Sequence, residues 1–217
     1  MLFHAARLIS IREFCPFLRG SVLRAPSTLT RDRFLQINHL HSPLPSSSLL
    51  FSFSSAVRWS NNPSLKQTSW VTDRAPLERF RVDDGEVLLT KSGSAGSGAG
   101  GNLVLEGLVS NFFCVCDDDR GNPCIRTAGD DLVLPGYCRS LYLSAASDLS
   151  IPVLPPISVE ELPSVRECFI TNSLRGAVEV DTVRVEGDVV WNSEGKDAPG
   201  ILKRLKAAVL QMQNDLL

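Results

Sequence analysis

The chain has 217 residues, enough for one domain and some additional sequence but short of two full domains. Hydrophobic residues make up 43% and charged residues 21%, an ordinary globular balance. A formal net charge of −2 gives no electrostatic case for binding nucleic acid, which needs a basic face, so an anionic substrate would have to be held by local groups.

The first 58 residues differ in composition from the rest. Arg7, Arg12, Arg19, Arg24, Arg31, Arg33 and Arg58 supply positive charge without a single lysine, the only acids are Glu13 and Asp32, and serines gather at Ser46–Ser48, Ser52, Ser54 and Ser55. Arginine-rich, serine-rich and acid-poor sequence is the signature of an organelle transit peptide, because a positive, weakly structured segment is drawn to anionic import receptors and membrane surfaces. Met1 to Cys15, stopped by Pro16, can form an amphipathic helix with Leu2, Ala5, Ala6 and Ile9 on one face. The stretch Leu49–Val57 is too short and too serine-rich to span a membrane. The expected organisation is therefore a transit peptide or disordered segment over 1–58, bound for chloroplast or mitochondrion, and a folded domain over 59–217. If the first segment is not a signal, the expected location is the cytoplasm.

Further along, apolar runs alternate with turn signals. Glu86–Thr90 reads as a strand, followed by the glycine-serine tract Ser92–Gly101, a flexible connection that lacks the lysine and threonine of a phosphate-cradling P-loop. Leu103–Leu105 and Asn111–Cys116 read as two strands joined through Glu106-Gly107, and the acidic turn Asp117–Asn122 predicts a hairpin into a strand at Ile125–Thr127. Pro135-Gly136 opens a helix over Tyr137–Ser147. Ile151–Leu154 is extended, and Val159–Leu162 is a short helix with acids in its first turn, which suits the helix dipole. Strands follow at Glu167–Thr171, Ala177–Val180, Thr182–Val185 and Val189–Trp191, the last two joined by a Gly187-Asp188 turn. Pro199 marks the first turn of a closing helix running to about Leu216. Many short strands with a few helices and no internal repeat place the chain in the α+β or α/β class.

The six cysteines do not form a metal motif. Cys114 and Cys116 have one residue between them, not the spacing of a zinc knuckle, and no histidine lies beyond His41. On a strand these two would share a face, so they read as small buried hydrophobes and reduced thiols rather than a disulfide framework.

Four segments, in one order, carry a family resemblance: Asn62–Arg74, Leu105–Phe113, Leu134–Arg139 and Glu167–Gly176. Together they resemble the class IV aminotransferases, the family of branched-chain aminotransferases, D-amino-acid transaminases and aminodeoxychorismate lyases. The last two segments are most similar to the lyase-like branch. The resemblance covers roughly Arg58 to Leu217. It implies the C-terminal domain of the D-amino-acid aminotransferase-like fold without the usual N-terminal domain, and pyridoxal 5'-phosphate (PLP) as cofactor. PLP needs a lysine amine at its aldehyde, and Lys66, four residues before Trp70, stands where the resemblance puts it; a solvated lysine is the ordinary alternative. PLP also needs an acid at its pyridine nitrogen, and Glu106, between apolar segments, matches the family's glutamate; the alternative is a simple turn acid.

The phosphate needs backbone amides at a helix N-terminus, which the resemblance assigns to Tyr137 and Cys138, with Ser173 as a second contact and Thr171 and Asn172 beside it. Arg139 matches a family arginine but is expected to form a structural ion pair. No metal is expected. The implied reaction is amino-group chemistry on an amino acid, a transamination or a lyase step. Amino-acid and 2-oxo-acid partners are implied, together with a homodimer or association with a full-length relative. A catalytically inactive remnant or partner subunit is the alternative.

Overall fold

A computed structural model describes residues 35–39 (as strand backbone), 68–81, 85–92 and 101–215. All of these belong to one compact unit, Arg31–Leu217. Lys66, the expected Met1–Cys15 helix, Leu49–Val57 and most of the glycine-serine tract lie outside the described residues.

Nine strands form the framework: β1 (Leu35–His39), β2 (Glu86–Ser92), β3 (Asn102–Gly107), β4 (Asn111–Asp117), β5 (Pro123–Arg126), β6 (Val153–Leu154), β7 (Glu167–Asn172), β8 (Gly176–Val185) and β9 (Asp188–Asn192). Their order is β3-β2-β1-β8-β7-β4-β5-β6, with β9 on β8. Every pairing is antiparallel except β5–β6. The sheet curls back on itself because β3 also pairs with β4, through Glu106 and Asn111. β1, which lies in the segment read from sequence as an address, pairs with β2 and β8. Among the described residues three helices complete the unit: α1 (Trp70–Glu78), α2 (Tyr137–Asp148) and α3 (Ile201–Asn214), with a 3-10 turn at Val159–Ser164.

The alternation of β4 and β7 divides the core in two. Phe112, Cys114 and Cys116 of β4 and Cys168 and Ile170 of β7 pack inside the curl with Val180, Val183 and Trp191. Phe113, Val115 and Phe169 face the other way, under α2 and α3, where Phe113 and Phe169 stack with ring centroids 4.9 Å apart. The cysteines are thus core residues, as their spacing predicts: all five described ones are free and buried. Burial holds the Cys114 and Cys168 thiols well above the ordinary thiol range.

Beyond β1 and the unforeseen α1, the strands and the closing helix differ from the sequence reading in two details. The strands expected at Ala177–Val180 and Thr182–Val185 are one continuous strand, β8, whose far half uses both edges, for β1 and β9. Pro199 precedes α3 rather than sitting in its first turn; Gly200 is the N-cap, in the left-handed region at φ 69°.

Candidate active site

β3 and β4 meet at a four-residue turn, 107–110, with Glu106 and Asn111 directly paired at its base. Residues opposite one another in an antiparallel pair point to the same face. Accordingly, Asn111 Nδ2 donates to Glu106 Oε2 at 3.2 Å and to the Leu134 carbonyl at 2.8 Å. The Leu134 N–H donates to the same Glu106 oxygen at 3.2 Å. Glu106 is only 2% exposed. Burying a carboxylate is costly unless hydrogen bonds and a cationic partner offset it. Among its partners are two N–H donors at the mouth of the loop that begins α2.

That loop, Leu134-Pro135-Gly136, passes against Asn111. A Cβ on Gly136 would lie 2.5 Å from Asn111 Oδ1, so glycine is needed there for close approach. Gly136 is the N-cap of α2 and brings no side-chain cap, and the first-turn amides have no intrahelical acceptor. The amides of Tyr137 and Cys138 are therefore suited to an anion. The Tyr137 ring is exposed. The Cys138 side chain is instead buried with Phe113, Tyr142 and Phe169, and burial pushes its thiol upward. Cys138 can offer the loop its backbone amide, not its sulfur. Arg139 is buried, paired with Asp130 and the Ala128 carbonyl, which is the structural role expected for it.

Across β4 from Glu106, Asn111 pairs with Thr171 of β7, placing all three side chains on one face. Thr171 is 1% exposed, and its hydroxyl has no hydrogen-bond partner among the described residues. An unsatisfied buried hydroxyl costs about 1–3 kcal/mol and calls for a partner that the described residues do not supply. Asn172 is committed locally, its Oδ1 accepting from the Leu174 and Arg175 N–H groups. Ser173 sits exposed in the β7–β8 turn.

Sequence reasoning missed three contributors. Asn111 reads from sequence only as a strand start, although its five-residue spacing from Glu106 across a glycine turn is an available signal. Glu86, at the head of β2, is buried and accepts from the Val109 N–H and the Ser110 hydroxyl, both at 3.2 Å; burial, chiefly, raises its carboxyl above the usual range. Trp70, on the unanticipated helix α1, donates its indole N–H to the Leu108 carbonyl at 2.8 Å. No group of three or more acids, cysteines or histidines among the described residues is placed to hold a metal.

The model of the amino-transferase class IV family matches residues 18–183, so the chain belongs to the class IV aminotransferase family. Class IV aminotransferases are PLP-dependent. Similar solved structures include a Thermotoga maritima protein assigned as a branched-chain amino acid aminotransferase (25% identity, TM-score 0.48, 70% of this chain and 50% of that one). Another is the branched-chain amino acid aminotransferase of T.th. (20%, TM-score 0.51, 72% and 48%). A third is the T.th. branched-chain amino acid aminotransferase complexed with N-(5'-phosphopyridoxyl)-L-glutamate (20%, TM-score 0.51, 72% and 46%). The chain spans about half the length of these structures. No curated protein sequence matches it. The described residues carry the chemistry the family's cofactor needs: a buried acid of the kind a pyridine nitrogen takes, and an uncapped helix N-terminus and an unpartnered buried hydroxyl of the kind a phosphate takes.

Proposed function

We propose that this chain performs PLP-dependent amino-group chemistry on an amino acid, as a transaminase or an aminodeoxychorismate-lyase-like enzyme. The observation that carries the reading is the buried Glu106, held by Asn111 and Leu134 beside the uncapped start of α2. Bound PLP supplies an electron sink for the bond-breaking at the substrate's α-carbon. Glu106 would keep a proton at the pyridine nitrogen, since a buried carboxylate favours a cationic neighbour. The amides of Tyr137 and Cys138 would hold the phosphate, with the Ser173 hydroxyl as a second contact and the Thr171 hydroxyl turned to the same face. Asn172 would shape the β7–β8 turn beside them through its side-chain hydrogen bonds. Lys66 would anchor the cofactor through Nζ and then carry the α-proton on that nitrogen.

Amino-acid and 2-oxo-acid partners follow from this chemistry, and a second copy of the chain is the proposed oligomeric partner. Exposed Val109, Tyr137 and Leu174 around the site favour such association. An organellar location, chloroplast or mitochondrion, belongs to the same proposal and rests on the composition of residues 1–58. No helix among the described residues is long and apolar enough to cross a membrane.

The test is an absorbance spectrum of the purified chain after PLP addition and desalting. The wild-type chain is expected to retain a visible band that Lys66→Ala loses. A folded wild-type chain that retains none would reject the reading in favour of an inactive remnant or a subunit that works only beside a full-length relative.

A further inference from the structure

Glu86 is a second buried carboxylate, on a different strand from Glu106 and on the other side of Gly107. Its two oxygens accept from the Val109 N–H and the Ser110 hydroxyl, so it spans the far half of the β3–β4 turn. The fit leaves no slack: a Cβ on Gly107 would lie 2.4 Å from Ser110 Oγ and 2.8 Å from Glu86 Cγ. The turn is closed from within by the Gly107 N–H to the Ser110 carbonyl at 2.7 Å, and it is tied to β2 by the Leu108 N–H to the Val87 carbonyl at 3.1 Å. The Leu108 carbonyl takes the indole N–H of Trp70. Glu106 enters this turn and Asn111 leaves it, so their pairing geometry is set by how the turn is held.

At the Glu86 carboxyl, burial outweighs both the through-space attraction of Arg81 and the neutral hydrogen-bond partners, so the group is costly where an apolar residue would suit the burial of Val87, Leu88 and Leu89 that follow it. The compensating role available to it is the geometry it imposes on the turn.

We infer that Glu86 is a positioning residue for the Glu106–Asn111 pair, clamping the β3–β4 turn so that Asn111 aims its amide at the Glu106 carboxylate. Trp70 holds the same turn from α1, four residues after Lys66 in sequence. One turn therefore fixes both the acid and the helix that follows the lysine segment. This inference rests on the PLP reading for its functional meaning but not for its geometry.

The experiment separates the two. In the 217-residue chain without cofactor, Glu86→Gln and the milder Ser110→Ala are compared with wild type by the NMR signals of the Asn111 side-chain amide. Both variants are expected to shift those signals and to speed exchange of the Val109 N–H. Unchanged Asn111 signals in either folded variant would overturn the inference, whether or not PLP binds; should Glu86→Gln not fold, Ser110→Ala decides alone. With PLP added, a wild-type chain that retains the cofactor should lose about tenfold in affinity in Glu86→Gln and shift its visible band, the scale of one charge-assisted contact. Leu205→Ala, a core change on α3 of at least equal stability cost, should leave affinity and band unchanged. Equal losses in both would make Glu86 merely structural and overturn the inference, whereas a wild-type chain that binds no PLP would sink the cofactor reading and leave the Asn111 signals to decide this one.

Discussion

Helices α2 and α3 both begin at a glycine N-cap with no side-chain cap of its own, yet their first turns end up in opposite circumstances. At α3 the Glu167 carboxylate, reaching over from β7, accepts the N–H groups of Ile201 and Leu202, each at 3.0 Å. The positive end of that helix is neutralised by the fold itself. At α2 no acid lies in the first turn, and the adjoining carboxylate, Glu106, is engaged with Asn111 and Leu134 instead. The glycines differ to match. Gly200 adopts φ 69° with open space around it, whereas Gly136 has an extended backbone and is crowded by Asn111. One glycine serves the turn of the chain, the other a close approach within the site. A helix end that the protein closes is architecture, and the one it leaves open, beside a buried acid and an orphaned hydroxyl, is the end to which the proposed phosphate contact is assigned.

The largest effect should come from removing the acid at the closed end. Glu167→Ala strips two charge-assisted hydrogen bonds from α3 and is expected to cost roughly 2–3 kcal/mol, read as a fall in the urea midpoint at unchanged slope. Retention of PLP should not change, because the proposed phosphate contacts lie at the other helix. A parallel loss of cofactor would mean that the two helix ends are not independent. Next comes Gly136→Ala. Its backbone conformation suits any residue, so the whole effect, about 1–2 kcal/mol, is displacement of Asn111 by the new methyl. It should abolish PLP retention in a chain that is still folded by circular dichroism.

How much of this was legible in advance divides along the same line. The strands of the core follow from alternation and turn residues, and Glu86–Ser92, Asn111–Asp117 and Glu167–Asn172 appear within a residue or two of where the pattern puts them. The start of α2 follows from Pro135-Gly136, and Glu106 is singled out by a family resemblance. The same resemblance names Thr171, but not its register with Asn111. Asn111 and Thr171 are sixty residues apart and meet only through strand register, which no local pattern encodes. Glu86 opens an apolar run and has the look of a solvent-side strand end; its burial follows from the curl of the sheet. Helix α1 carries Pro76 in its interior and a weak apolar face, so local propensity spoke against it, and it is held by Trp70, Leu77 and Phe80 packing on Val87, Leu89 and Leu108.

The smallest effect sharpens the comparison most. If the α2 end is open to anions, inorganic phosphate alone should stabilise the wild-type chain in the absence of PLP, by about 1.4 kcal/mol at ten times its dissociation constant. Sulfate and chloride at matched ionic strength control for general salt effects, since exposed charges are screened over a Debye length of about 10 Å at 0.1 M. The gain should vanish in Gly136→Ala, where the new methyl displaces Asn111 from its place against the loop. Glu167→Ala provides the converse. With its carboxylate gone, the α3 end becomes a second uncapped terminus, but it has no counterpart of the Thr171 hydroxyl or the loop that surrounds α2. Phosphate should therefore stabilise Glu167→Ala no more than wild type. A larger gain in that variant would show that any uncapped helix end in this fold takes phosphate, and would remove the special status assigned to the start of α2. An equal gain leaves the anion site where the buried acid, the glycine loop and the unpaired threonine converge.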